Sequence, residues 1–177
     1  MDLSRLQYFS NNYKKEKKAF TLVEALVAIS IMLIGILSAL ILVTRVLYST
    51  SIIQNRLTAS FLAQEGMELI RQKRDSNFVK GLKGDSVGWL DGLDSGEYRI
   101  DAKDMILQQE GTDEFLFYDK EGFYNYTVGE STPFKRKITI EQINENQIWV
   151  KVLMEWKTKG MFFDLEVEDY LFNWLGI

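Results

Sequence analysis

Residues Phe20 to Val43 form an apolar run of 24 positions broken only by Thr21, Glu24, Ser30 and Ser38. As a helix this run reaches roughly 36 Å, enough to cross a hydrocarbon core of about 30 Å with some tilt. Lys14, Lys15, Lys17 and Lys18 stand directly before it. By the positive-inside rule they keep the N-terminus in the cytoplasm and send everything after Arg45 to the far side. A cleaved secretory signal has an apolar region of ~7–15 residues and then a small-residue cleavage site. This run is longer, and Arg45-Val46-Leu47-Tyr48 is no such site. The acid Glu24 near its start is costly in a membrane unless it snorkels to the interface or meets a partner.

Charge supports the same topology. Residues 1–19 hold five basic and two acidic side chains, net +3, which leaves −7 for the remainder of a chain whose total is −4. A basic head on an acidic body is a topology signal, not a nucleic-acid footprint. The chain has no cysteine, no histidine and one proline, which excludes disulfide frameworks, cysteine or histidine metal sites and histidine-based triads.

Beyond Arg45 the helical period continues. Ile53, Leu57, Ser60, Ala63, Met67 and Ile70 recur at three- and four-residue intervals and predict an apolar stripe that packs on the chain's own sheet. No proline falls between Phe20 and Arg74, so one continuous helix of roughly 80 Å is expected. Gly81, Gly84, Gly88, Gly92 and Gly96 then mark a loop. After it a two-residue period predicts strands in GEYRIDA, EFLFYD, FYNYTV, KRKITIEQI, QIWVKVLMEWK and FFDLEVEDYLFNW. Ile148, Val150, Val152, Met154 and Trp156 share one face, as do Phe163, Leu165 and Val167. Turns are expected at 119–122, 144–146 and 157–160. The fold class is α+β: a long N-terminal helix, half in the membrane, packed on a C-terminal antiparallel sheet.

Basic residues, a small residue at Ala19, then Phe20-Thr21-Leu22-Val23-Glu24-Ala25 and an unbroken apolar helix resemble the type IV prepilin class, which includes minor pilins and the pseudopilins of type II secretion or competence systems. The resemblance implies a basic leader at 1–19, a transmembrane and filament-core helix at 20–48, an amphipathic helix half at 49–78 and an extracytoplasmic β-sheet domain at 79–177. It implies cleavage between Ala19 and Phe20 by a membrane peptidase and N-methylation of Phe20. Ala19 stands where the family usually has glycine, which implies slower processing. Glu24 becomes the acid at the fifth mature position, a counter-ion for a neighbouring subunit's terminal amine. ASFLAQEGMELIRQKRDSNF and the closing strands resemble minor pilins in particular.

The implied partners are the prepilin peptidase, other pilin subunits, an inner-membrane assembly platform, membrane lipid before assembly and, only for a competence pilus, nucleic acid. The implied location is the bacterial cytoplasmic membrane, with the C-terminal domain outside the cytoplasm, and then an extracellular or periplasmic filament. The competing reading is an unprocessed, single-pass membrane-anchored binding or adhesion module.

Other candidates carry less. Asp91, Asp94, Asp101 and Asp104 surround a glycine-rich loop without the D-x-D-x-D-G pattern of a calcium loop and read as solvated turn acids. Asp119 and Glu121 fall in a turn, where acids are favoured locally. Lys135, Arg136 and Lys137 read as the polar end of a strand, and Tyr124 with Tyr126 as an exposed aromatic patch. No acid, base and nucleophile come together, so a structural protein with no enzymatic activity and no cofactor is expected.

Overall fold

The computed structural model describes residues 20–109 and 114–176. One helix, α1, runs from Leu22 to Leu82, and the chain divides into two compact units between Leu47 and Tyr48. In the first unit no residue from Phe20 to Leu47 is buried. Its hydroxyls turn inward to their own helix: Ser30 Oγ donates to Leu26 O and Ser38 Oγ to Ile34 O, each at 2.8 Å, and Thr44 Oγ1 donates to Ile41 O at 2.9 Å. That back-bonding satisfies polar groups where no water is needed.

The second unit packs α1 on an antiparallel sheet. Its strands are β1 (Gly96–Tyr98), β2 (Phe115–Tyr118), β3 (Tyr124–Asn125), β4 (Glu130–Asn144), β5 (Gln147–Thr158) and β6 (Met161–Phe172). Their order is β3-β2-β4-β5-β6, with β1 also on β4. Alternation fixes the faces, since Ile138, Ile140, Ile148, Val150, Val152, Met154 and Trp156 are all buried and their sequence neighbours point outward. Across the β5/β6 pair, Val152 faces Val167, Met154 faces Leu165 and Trp156 faces Phe163. Strand positions and turns agree with the alternation and turn chemistry in the sequence, though FYNYTV contributes only two strand residues, Tyr124 and Asn125.

The sheet-facing stripe of α1 differs from the expected one. Ala59, Leu62, Ala63, Gly66, Met67, Leu69 and Ile70 are buried, whereas Ile53 and Leu57 are 65% and 55% exposed. At about 100° per residue the whole series Ile53, Leu57, Phe61 lies roughly 120–170° around the helix from the centre of that buried set, on the face away from the sheet. Phe61, at its end, is 60% exposed. Helix α1 also extends through Gly81, expected in the loop. It closes at Gly84 (φ 93°), where Asp85 N donates to Lys80 O at 3.2 Å and Gly84 N to Gly81 O at 3.0 Å.

The loop that follows is tied to the helix end. Asn77 Nδ2 donates to the carbonyls of Trp89 and Asp91 at 3.1 and 2.9 Å, and Phe78 stacks on Trp89 with centroids 6.4 Å apart.

Two charged side chains on the inner face of the sheet hold the helix in register. Arg136 is fully buried; its Nη1 donates to Leu62 O at 3.0 Å and to Glu65 Oε2 at 2.8 Å, and its Nη2 donates to Ile100 O. Its Nε has no acceptor among the described residues. Farther along, Arg71 Nη2 donates to Asp169 Oδ2 at 2.6 Å, and this partner holds the guanidinium above its ordinary pKa. Gly66 lies over the same spot, and a Cβ there would sit 3.1 Å from Arg136 Cδ and 3.2 Å from Val152 Cγ1.

Two outcomes follow for the full chain in detergent. Gly66→Leu forces bulk into this contact and lowers unfolding stability by about 1–3 kcal/mol, read from the urea midpoint. Glu65→Ala leaves the buried guanidinium without its carboxylate. Because Glu65 is 31% exposed, the expected loss is near the low end of ~3–5 kcal/mol, and Arg136→Met in the same background recovers part of it.

Candidate functional site

The N-terminal turn of α1 brings together the described residues that the sequence marks out. Phe20, 71% exposed, precedes the helix. The Glu24 N–H donates to Thr21 Oγ1 at 3.2 Å. Thr21 is thus the N-cap and Glu24 the N3 residue, which is the T-x-x-E spacing of a capping box. A carboxylate there also faces the positive end of the helix dipole. This local role was available from the spacing of Thr21 and Glu24, and the reading of Glu24 as a membrane acid passed over it. Ala19 and the four lysines Lys14, Lys15, Lys17 and Lys18 lie outside the described residues.

Around the Glu24 carboxylate the surface is apolar. Leu22, Val23, Leu26 and Val27 are each at least half exposed, and the stretch continues through Ile29, Leu33 and Ile36. Nothing in the described chain covers it, so it requires lipid or other protein. Among its neighbours a lone carboxylate costs free energy unless a cation meets it. The arrangement can therefore bind an amine or guanidinium presented from an apolar environment.

Other residues singled out from sequence take structural places. Arg136 lies on the inner face beneath α1 instead of at the polar end of a strand, because position 136 falls in the buried phase of β4 with Phe134 and Ile138. Tyr126 is buried, not part of an exposed patch. Its hydroxyl donates to Arg136 O at 3.1 Å, the Arg99 guanidinium lies 5.1 Å over its ring, and burial pushes its phenol pKa up. Tyr124 is half-buried against Tyr118, with centroids 5.0 Å apart.

Asp101 is buried as well, accepting from the N–H groups of Lys103 and Asp104 at 2.9 and 3.2 Å as a turn cap. Asp119 also caps its turn, with Oδ1 accepting from Glu121 N and Phe123 N at 2.9 and 3.0 Å. Its Oδ2 lies 2.6 Å from Lys103 Nζ, which also reaches Glu121 at 3.2 Å. The Lys103 ammonium, followed by the Phe123 N–H, holds the Asp119 carboxyl below its ordinary pKa, and Asp119 in turn raises that of Lys103. Among the described residues no group of three or more acids is placed to hold a metal ion.

Residues 14–40 match the family model described as a prokaryotic N-terminal methylation motif. No curated protein and no solved structure matches the chain. The match covers the segment that holds the lysines, Ala19, Phe20 and Glu24, and it is the type IV prepilin-like signal. It supports a pilin-like prepilin that is a substrate of a prepilin peptidase, is anchored in a membrane and is structural rather than enzymatic.

The Asp119 to Lys103 contact predicts a pH dependence. A carboxyl whose pKa is lowered on folding contributes stability above its ordinary value of 3.8, and loses it as pH falls through the folded value. Asp119 is closed in at contact distance but sits on the β2 to β3 turn at the sheet edge, where solvent screens the pair. At neutral pH, Asp119→Asn is expected to unfold at lower urea than the parent chain. The two midpoints should converge as pH drops below 3.8.

Proposed function

We propose that the chain is a minor pilin or pseudopilin, a filament subunit cut between Ala19 and Phe20, methylated on Phe20 and assembled through α1. The methylation motif at 14–40 carries the proposal, because it runs into a helix whose whole apolar length lacks cover from the described residues. Before assembly lipid covers that surface; in the filament, the apolar helices of neighbouring subunits do. Cleavage would remove the basic leader and leave a cationic amine on Phe20 at the base of an apolar helix. That cation needs a counter-ion when helices bundle away from water, and Glu24 of the adjoining subunit is suited to supply it. The four segments are a leader at 1–19, a spanning helix at 20–48, an amphipathic half at 49–78 and an outer domain at 79–177. The exposed Ile53, Leu57 and Phe61 extend the apolar surface of the helix into the outer domain and suit contact with fellow subunits.

Two experiments test this. The mature protein from cells with an active prepilin peptidase should begin at methylated Phe20; a chain that still begins at Met1 returns the molecule to a permanently anchored binding module. Glu24→Gln removes the charge alone, because glutamine has the same size and suits the N3 position of a capping box equally. Processing and membrane insertion should be unchanged, and incorporation into sheared filaments should fall at least tenfold. Incorporation at the parent level would remove Glu24 from assembly.

A further inference from the structure

The tip of the β5/β6 hairpin lies beside Tyr48 and Asn55, at the start of the second unit. Asn55 Nδ2 donates to Thr158 Oγ1 at 2.6 Å, and the Tyr48 hydroxyl donates to Met161 Sδ at 3.7 Å. Farther from the tip, Asp169 meets Arg71. Along the hairpin from Thr158 to Asp169 the helix therefore advances from Asn55 to Arg71, and the tip points back toward Tyr48. Tyr48 is joined through the chain to Leu47. Val43 lies five residues before Tyr48, so if the run through Val43 lies in lipid, the chain alone keeps Tyr48 within about 18 Å of the bilayer surface at ~3.6 Å per residue.

The tip has the chemistry of such a surface. Lys159 and Gly160 form a two-residue turn with φ values of 52° and 85°, which keeps the tip tight and puts a lysine at its apex. Phe162, 81% exposed, lies across from Lys157, whose Nζ is 4.8 Å from the ring centroid. Next to them a cleft of about 220 Å³ opens between Phe115, Pro133 and Phe162, with the Lys135 Nζ 4.8 Å from the Phe115 ring. The first acids, Glu155 and Asp164, come two residues back along each strand, and Glu166 and Glu168 recede farther. A body of net −7 thus carries lysines and an exposed aromatic ring at the end where the chain enters it at Tyr48.

We propose that this hairpin tip is a second membrane contact, in which Lys157 and Lys159 engage anionic lipid headgroups and Phe162 enters the interface while the chain is still anchored. Aromatic rings and snorkelling lysines are the residues that settle at this depth. The proposal rests on the membrane-anchor reading of residues 20–47. Each lysine contributes on the order of fivefold to the ratio of docked to free tip on an anionic surface.

The chain has no cysteine, so single-cysteine variants report one site each. The full chain is reconstituted in phosphatidylcholine vesicles with or without phosphatidylglycerol, and a polarity-sensitive dye is attached at Ser38→Cys, Ser86→Cys or Phe162→Cys. Access of a water-soluble quencher is then measured. The dye at position 38 should be shielded in both lipids and that at 86 open in both. The dye at 162 should be shielded only with phosphatidylglycerol, and open again when Lys157→Glu and Lys159→Glu are added. A dye at 162 as open as that at 86, while 38 is shielded, overturns the hairpin proposal alone. Shielding at 162 that follows the protein-to-lipid ratio instead of phosphatidylglycerol also overturns it, in favour of contact with a second copy. An open dye at 38 overturns the anchor reading and the proposal together.

Discussion

The buried Arg136 guanidinium is the contact on which the arrangement of the outer unit depends. It joins the helix, at Leu62 O and Glu65, to the segment before the β2 hairpin, at Ile100 O, from a strand in the middle of the sheet. An apolar side chain of similar volume could fill the space with comparable or better stability, since desolvating a guanidinium is expensive and its Nε lacks an acceptor among the described residues. What an apolar side chain could not do is fix the rotation of α1. Directional bonds to Leu62 O and Glu65 admit one helix rotation, and Gly66 allows the backbone close enough for it. The Arg71 contact to Asp169 imposes the same rotation farther along. Ile53, Leu57 and Phe61 are therefore turned away from the sheet as a consequence of how Arg136 is held.

That rotation gives α1 two kinds of surface on one secondary structure. From Ala59 to Phe78 its apolar residues other than Phe61 are satisfied by the sheet and the loop carrying Trp89. From Phe20 to Leu47 they are satisfied by nothing in the described chain, and the hydroxyls there bond back to helix carbonyls or cap the first turn. Such a segment is stable as a helix in any apolar surrounding, because its hydrogen bonds are internal. A segment of this kind can exchange lipid for protein neighbours without refolding. Its single carboxylate is the group whose energy changes most between the two surroundings, since the cost of a buried charge depends on whether a cation meets it.

The strands of the outer unit were legible because one face is dry and the other wet, so β4, β5 and β6 alternate cleanly and the tight turns carry the residues they require. The same rule hid Arg136 and Asp169. Charged residues in the buried phase of a strand look like breaks in a pattern until a partner on another element is known, and Glu65 and Arg71 lie far away in sequence. The helix stripe went wrong at Ile53 and Leu57 because three- and four-residue spacings fit several faces of a helix, and only contact with the sheet selects one. Tyr126 was misplaced because its strand ends after Asn125 and the chain turns its ring inward. The N-terminal motif was more legible than the fold: it is local in sequence, so it needs no tertiary contact to be recognised. Even there, the capping relation between Thr21 and Glu24 went unread beside the question of the membrane.

Assembly through α1, as proposed, requires that the sheet not gather further copies as well. Strand β6 is the last in the order and, among the described residues, has no partner strand along one side of its twelve residues, a template for edge-to-edge addition of another chain. Its outward series Asp164, Glu166 and Glu168 answers this. Two copies laid edge to edge would bring three carboxylates on each strand close to three on the other with no lysine of β6 between them. The counter-charges Lys135, Lys137 and Lys151 lie on β4 and β5, where they neutralise the sheet internally without reaching across such an edge; Lys151 meets Glu166 at 3.4 Å. At the opposite end of the order the edge strand β3 has only two residues, too few to seed a ladder. The sheet is thus protected by charge on one side and by brevity on the other, and the large apolar surface left open for association is that of α1.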